Sequence, residues 1–362
     1  MKSETKTTGY HQSEMFSRHL LGWYQRHKRD LPWRKTGDPY KIWISEIMLQ
    51  QTTVNAVIPY YKRWLEIFPD VKALAKVRLQ TVLKMWQGLG YYERARNLHT
   101  AAKIFVNQYE GKIPAEYEKL EKIPGFGPYT TSAVLSLAFH KPHPVLDANV
   151  RRVMMRILGI HGEANGHHDQ SILAKLQTII SIKSPGSFNQ ALMELGALIC
   201  KARNPLCLLC PVQPFCRAFK RGEQEIIPKP KKRTYSRVEA VVGIIEKDGR
   251  FLIQKRPAAG LLAGLWEFPG GKVKRGETRE KAVAREIREE LGAEVAQATF
   301  LVKVHHSYTQ FQVDLYAYAC RLKMDPTPNS GRQKWVRIKD LHKYPFPSGS
   351  AKIIQFLENM RE

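Results

Sequence analysis

The sequence predicts a two-domain protein, an all-α half followed by a smaller α+β half. Three observations carry that expectation. At 362 residues the chain has the length of about two domains. From about residue 12 to 220 apolar residues recur at helical spacing, whereas beyond 238 they alternate as strands do. Between them lies "IIPKPKKRTYSR", with two prolines and five basic residues, which reads as a linker. The expected boundaries are 1–220 for the helical domain, 221–237 for the basic linker and 238–362 for the second domain.

In the first half, "AAKIFVNQY", "TTSAVLSLAF", "NVRRVMMRILGI" and "FNQALMELGALIC" carry helical periodicity, with Gly or Pro between many of them. In the second, "VEAVVGIIEKDGRFLIQKR" is two apolar runs around Asp248-Gly249, a hairpin signal. "REKAVAREIREELG" reads as one helix and "FQVDLYAYACRL" as a strand. No internal repeat is present.

Hydrophobic residues make up 43% of the chain, enough for packed cores. No apolar run approaches the roughly 20 residues that span a bilayer. The polar start, "MKSETKTTGYHQSE", lacks a signal-peptide core. A soluble, intracellular protein is expected. Lysine and arginine number 58 against 33 acids, a formal net charge of +25. That excess points to a polyanion, nucleic acid first and an anionic membrane surface second.

Within this pattern, "SEIMLQQT" (Ser45 to Thr52) is an odd piece of helix. Glu46 sits in an apolar stripe, and Gln50 and Gln51 follow at once. A lone Glu on a helix ordinarily faces solvent. "LEKIPGFGPYT" places Gly125 and Gly127 in a tight turn just before a helix, where backbone N–H groups suit a phosphate. It also reads as a plain interhelical turn. "QGLGYYERARNL" repeats the theme with Gly88 and Tyr91. In "PVLDANVRRV", Asp147 or Asn149 reads as a cap for the helix near Val150.

Of five cysteines, four fall in "CKARNPLCLLCPVQPFC": Cys200, Cys207, Cys210 and Cys216. Thiolates so close together hold metal. Zinc sites more often show two short Cys pairs. The single short pair here favours a [4Fe–4S] cluster. Cys320, on an alternating strand, reads as a small buried thiol.

Together these pieces resemble the helix-hairpin-helix DNA glycosylases. "LPWRK", "SEIMLQQT", "GLGYYERARNL" and "NQALMELGALIC" are similar to the MutY-type adenine DNA glycosylases within that superfamily. The resemblance covers nearly the whole chain. It implies double-stranded DNA with an adenine·8-oxoguanine or adenine·guanine mispair as substrate. Glu46 would be the general acid that protonates adenine, helped by burial, which raises a carboxyl pKa. Asp147 would stabilise the oxocarbenium-like sugar, with Tyr129 and Asn149 orienting the reacting groups. Arg34, Leu49, Gln51, Gly88, Tyr91, Gly125 and Gly127 would touch DNA. Relatives with lyase activity carry a lysine where this chain has Tyr129, so a monofunctional enzyme is implied. One departure is Ala148, where the family usually has Gly after the catalytic Asp.

The second half resembles Nudix domains, and the resemblance implies a reader of 8-oxoguanine. The family's Phe-Ser-His contact corresponds to Tyr308-Thr309-Gln310, so Tyr308 and Thr309 are the expected lesion contacts. "GKVKRGETREKAVAREIREELGA" fits the Nudix signature up to Ala293. Glu286, Glu289 and Glu290 lie on one helix turn and could hold Mg²⁺, or form a solvated face with Arg285 and Arg288. The rival readings are a pyrimidine glycosylase with lyase activity, a nucleotide hydrolase tethered to DNA, and a DNA-binding protein without catalysis.

Overall fold

The computed structural model describes residues 4–230, 235–308, 311–324, 326 and 331–361. The chain divides into two compact units, Met1–Lys76 with Asn97–Lys232, and Val77–Arg96 with Arg233–Glu362. This division differs from the sequence boundaries at two places. The start of the expected linker 221–237 packs with the first unit, and Ile227 is buried in its core. The internal segment Val77–Arg96 groups with the second unit, not with the helices that flank it in the chain.

Helices of the first half are α1 (Glu4–His27), α2 (Pro39–Leu49), α3 (Val54–Ile67), α4 (Val71–Lys76), α5 (Leu79–Trp86) and α6 (Glu93–Tyr109). They continue as α7 (Tyr117–Leu120), α8 (Pro128–Ala138), α9 (Ala148–Leu158), α10 (Asp169–Ile179), α11 (Pro185–Leu198) and α12 (Arg217–Lys220). One core of the first unit gathers Phe16, Leu20 and Trp23 from α1, Val150 and Met154 from α9, Leu176 from α10, and Phe188, Leu192 and Leu195 from α11. Another is aromatic: Trp43 on α2 lies against Phe105 on α6 and Phe126 before α8, with ring centroids 5.4 Å away in both cases.

Helix α2 ends sooner than "SEIMLQQT" suggests. Its last residue is Leu49; Gln50 is the C-cap, and Gln51 has left-handed backbone at φ 57°. Asp147 caps α9, accepting from the Val150 N–H at 2.6 Å.

The second unit holds β1 (Ser236–Ile244), β2 (Glu246–Lys247), β3 (Arg250–Lys255), β4 (Trp266–Glu267), β5 (Gly270–Lys272), α13 (Arg279–Leu291), β6 (Val295–Tyr308), β7 (Phe311–Leu322), β8 (Gln333–Arg337), α14 (Ile338–Leu341) and α15 (Ser348–Asn359). One sheet runs β5-β1-β7-β6; in the other β3 pairs with β2, β4 and β8. Asp248 and Gly249 turn at φ 49° and 70°, as a tight hairpin requires. Only β2 pairs with β3 across that turn, however, while β1 runs parallel to β7. Strand alternation sorts the side chains. Val241, Ile245, Tyr316, Tyr318 and Cys320 face a core with Val283 and Ile287 of α13. Val242, Ile244 and Ala317 face another with Ile353 and Leu357 of α15. Cys320 is buried, as its strand position predicts.

Candidate active site and cysteine loop

Three helices of the first unit supply the central groups. Helix α2 runs buried from Ile42 to Met48 and carries Glu46 inward, only 5% exposed. The hydroxyl of Tyr129, in the first turn of α8, donates to Glu46 Oε2 at 2.7 Å. Burial pushes the Glu46 carboxyl up to about 7; the Tyr129 hydrogen bond opposes this, the Asp147 charge adds to it, and Arg34 opposes it. Burial also pushes the Tyr129 phenol well above its ordinary value, so it stays a donor at neutral pH.

Asp147 is set by the start of α9. Its Oδ1 takes the Val150 N–H and its Oδ2 the Asn149 Nδ2 at 3.1 Å. Burial raises its pKa, and these hydrogen bonds offset only part of the rise. Asn149 Oδ1 accepts from Arg152 Nη2 at 3.0 Å, and Arg152 Nε reaches the Cys200 carbonyl at 2.9 Å. A continuous path of hydrogen bonds therefore joins Asp147 to the first cysteine of the loop. Gly196 on α11 permits the close helix contact this needs, because a Cβ there would stand 2.7 Å from that of Asn149. Ala148 begins α9 with its side chain exposed, and its φ is not positive, so the methyl that departs from the family pattern meets no strain.

The turn before α8 is built as its glycines predict. Gly125 has φ 86° and leaves Asn97 Cβ only 3.0 Å from the missing side chain. Gly127 is the exposed N-cap of α8, followed by Pro128 at the first helical position. Phe126 is 2% exposed and ties the turn to Trp43. Gln51 is exposed, while Leu49 is half-buried. In the second unit, Gly88 and Tyr91 are both exposed, on a loop with φ 104° at Gly88 and 48° at Tyr91.

Arg34 is placed differently from an open DNA contact. Its guanidinium lies 2.8 Å from Glu194 Oε2, and Arg29 approaches the same oxygen at 2.7 Å. Although burial opposes it, the arginine hydrogen bonds hold the Glu194 carboxyl at about 2. Glu194 is a residue the sequence reading missed. The available signal was a carboxylate inside the apolar run "NQALMELGALIC", the same oddity that marks Glu46.

The four loop cysteines are all free thiols and half-buried. Burial pushes Cys210 up to about 12, and the neighbouring cysteines raise Cys207, Cys210 and Cys216 further. Thiols that oppose one another's ionisation become thiolates when a shared cationic group lies among them, which fits an iron–sulfur cluster. The buried Arg156 braces the loop, donating to Cys200 Sγ at 3.2 Å, the Lys201 carbonyl at 2.6 Å and the Ile227 carbonyl at 2.7 Å.

In the second unit, Arg285 binds Glu277, Glu286 and Glu289. Glu290 Oε2 accepts from the Gly270 N–H at 2.8 Å and Gln254 Nε2 at 2.6 Å. Among the described residues no three His, Cys, Asp or Glu side chains are grouped to hold a single metal ion, so Glu286, Glu289 and Glu290, a possible Mg²⁺ site in the sequence, are not assembled as a ligand set. Strands β6 and β7 close at the pair Tyr308 and Phe311, but Thr309 and Gln310 lie outside the described residues. No described helix is long and apolar enough to cross a membrane.

Comparison with known proteins finds three family matches along the chain. Residues 44–181 match the HhH-GPD superfamily of base excision DNA repair proteins. Residues 200–216 match the iron–sulfur binding domain of endonuclease III, and residues 240–356 the NUDIX domain. The adenine DNA glycosylase of Buchnera aphidicola subsp. Schizaphis graminum (strain Sg) is 32% identical over 349 residues, covering 95% of this chain and 99% of the relative. That of Mus musculus is 31% identical, covering 96% of this chain and 78% of the relative. Among solved structures, a thermostable thymine-DNA glycosylase aligns with a TM-score of 0.53 at 29% identity, over 58% of this chain and 97% of that one. Sharing about a third of its residues with a relative it covers almost end to end, the chain belongs to the adenine DNA glycosylases, DNA repair enzymes, and carries their iron–sulfur loop.

Proposed function

We propose that the enzyme hydrolyses the glycosidic bond of adenine paired with 8-oxoguanine or guanine, without lyase activity. The observation that carries this reading is the buried Glu46, held by Tyr129 at 2.7 Å with a pKa of about 7. Adenine is a poor leaving group until a ring nitrogen is protonated. A carboxyl with that pKa keeps a proton available at neutral pH and releases it readily. Asp147, capped by Val150 and Asn149, stays ionised and faces the positive charge that develops on the sugar. Extruding adenine costs a few kcal/mol, and a mispair lowers that cost.

Hydrolysis by water, not by an amine, is supported at Tyr129. A phenol held well above its ordinary pKa orients Glu46 and forms no Schiff base. The exposed Gln51, cocked in left-handed backbone, is suited to enter the base stack left by the extruded nucleotide. Gly125, Gly127, Gly88 and Tyr91 serve the DNA backbone, and Arg34 with Glu194 forms a polar wall near Glu46. Cys200, Cys207, Cys210 and Cys216 would hold the cluster, which would close and anchor a loop rich in basic residues. Tyr308 and Thr309 contact 8-oxoguanine, and the protein acts as a monomer on chromosomal DNA.

An end-labelled duplex with one adenine·8-oxoguanine pair tests the reading. Strand scission is expected only after hot alkali, at the adenine. Scission without alkali, or a borohydride-trapped covalent adduct, would establish the lyase rival. No scission under either condition would leave a nucleotide hydrolase or a binding protein.

A further inference from the structure

The segment Val77–Arg96 is the part of the first half of the chain that packs with the second unit. Gln80, half-buried on α5, uses both ends of its amide. Nε2 donates to the Gly264 carbonyl at 3.0 Å, and Oε1 accepts from the Trp266 indole at 3.2 Å. Gly264 has φ 64°, and a Cβ there would stand 3.1 Å from Arg96 Nη2, so the approach is close on both sides of the segment. Near its other end, the buried Tyr92 hydroxyl donates to the Phe346 carbonyl at 3.2 Å.

Between these anchors lies the Gly88–Tyr91 loop. Gly88, Gly90 and Tyr91 all have positive φ, at 104°, 71° and 48°. A non-glycine residue in that region is held there by its surroundings. Arg94 contributes, stacked over Trp86 and Tyr91 with its Nη2 on the Leu89 and Gly90 carbonyls. That brace is local. Gln80 and Tyr92 instead tie both flanks of the loop to residues far away in the chain, at separations of 184 and 254 positions.

We propose that Gln80 and Tyr92 are positioning residues for duplex binding, through which the second unit sets the Gly88–Tyr91 loop. Grip on DNA of any sequence then depends on the second unit, apart from any reading of the base opposite adenine. This rests on the reading of Gly88 and Tyr91 as DNA contacts.

The test uses the full chain and the variants Gln80→Leu, Tyr92→Phe and Tyr91→Ser. Backbone hydrogen exchange over residues 87–92 is measured without DNA, and affinity is measured on an undamaged duplex. Losing one or two hydrogen bonds should speed loop exchange and weaken duplex binding by roughly three- to tenfold in Gln80→Leu, and less in Tyr92→Phe. Exchange in β1 and β7 should not change in Gln80→Leu or Tyr92→Phe. Unaltered exchange over 87–92 in both variants overturns the proposal. Faster exchange spread evenly over the second unit overturns it too, because that is general destabilisation. Wild-type affinity in Tyr91→Ser would show that the loop is no DNA contact. The underlying reading would then have failed, whatever the exchange data show about the anchors.

Discussion

Both units hold carboxylates pushed up and carboxylates pushed down, and in the second burial takes Glu290 up to about 7. In the first, Glu46 is buried with a neutral phenol as its hydrogen-bond donor, and its pKa rises to about 7. In the second, Glu277 is bound by Arg285 and the Lys274 N–H, and its pKa falls to about 2. The difference lies first in burial, which raises Glu46 and is nearly absent at Glu277, and then in the partner. A neutral donor orients a carboxyl without removing its affinity for a proton, whereas a guanidinium fixes it as an anion. Glu194 makes the same point inside the first unit, since it is buried yet anionic between Arg29 and Arg34. Burial alone therefore does not fix the protonation of a carboxyl: Glu194 is buried and held low, whereas Glu267 is raised with Arg256 beside it.

The sharpest way to break this comparison is at Asp147. Asp147→Asn should keep mispair binding and the α9 cap, since Asn caps helices well. It should lose excision by roughly a hundredfold to a thousandfold, the usual cost of removing a transition-state stabiliser. Single-turnover kinetics on a labelled duplex measure this, and a near-normal rate would remove Asp147 from the chemistry. Next in size is the cysteine loop. Cys207→Ser should yield protein with less iron, weaker visible absorption and reduced duplex binding, read by metal analysis and titration of DNA.

Glu46 should trade stability for reactivity. A carboxyl whose folded pKa is about 7 binds a proton that the unfolded chain, at 4.5, has already released. Between those values stability falls as pH rises. Glu46→Gln should therefore stabilise the fold at pH 8 by roughly 2–3 kcal/mol and by much less at pH 5. Denaturant titration at both pH values checks it, and an equal effect at both would refute the buried-acid assignment. In the wild type, excision should decline above about pH 7 as Glu46 loses its proton. The smallest effect is expected at Glu290. Glu290→Gln should leave excision within about twofold, as substitutions away from a reacting site usually do. Magnesium-dependent release of a nucleoside monophosphate by the wild type, abolished in this variant, would instead restore the Nudix box as a metal site.

Much of this was legible in the sequence because it is local. The periodicity of "NVRRVMMRILGI", the Asp248-Gly249 turn and the cysteine spacing each occupy a few adjacent residues. Glu46 stood out because an acid interrupts an apolar stripe. What could not be read depends on distant partners. The parallel pairing of β1 with β7 joins Ser236 to Phe311, and nothing near either residue encodes it. The bond from Gln80 to Gly264 spans 184 positions, so no composition shift marks Val77–Arg96 as part of the second unit. The ion pair that holds Arg34 could not be read because Glu194 lies 160 residues on.

The stack of Phe126 on Trp43 has a consequence for how a lesion is met. Trp43 stands one turn before Glu46 on α2, and Gln50 at the end of that helix bonds Thr130 on α8 at 3.2 Å. The glycine turn and the acid are thus bolted to one frame, without a hinge between them. On the proposed roles, with a phosphate on the turn and Glu46 as proton donor, the acid would stand at a set number of bonds along the strand. Such a frame would act as a fixed gauge, rejecting a base one nucleotide out of place by length before any chemistry could discriminate.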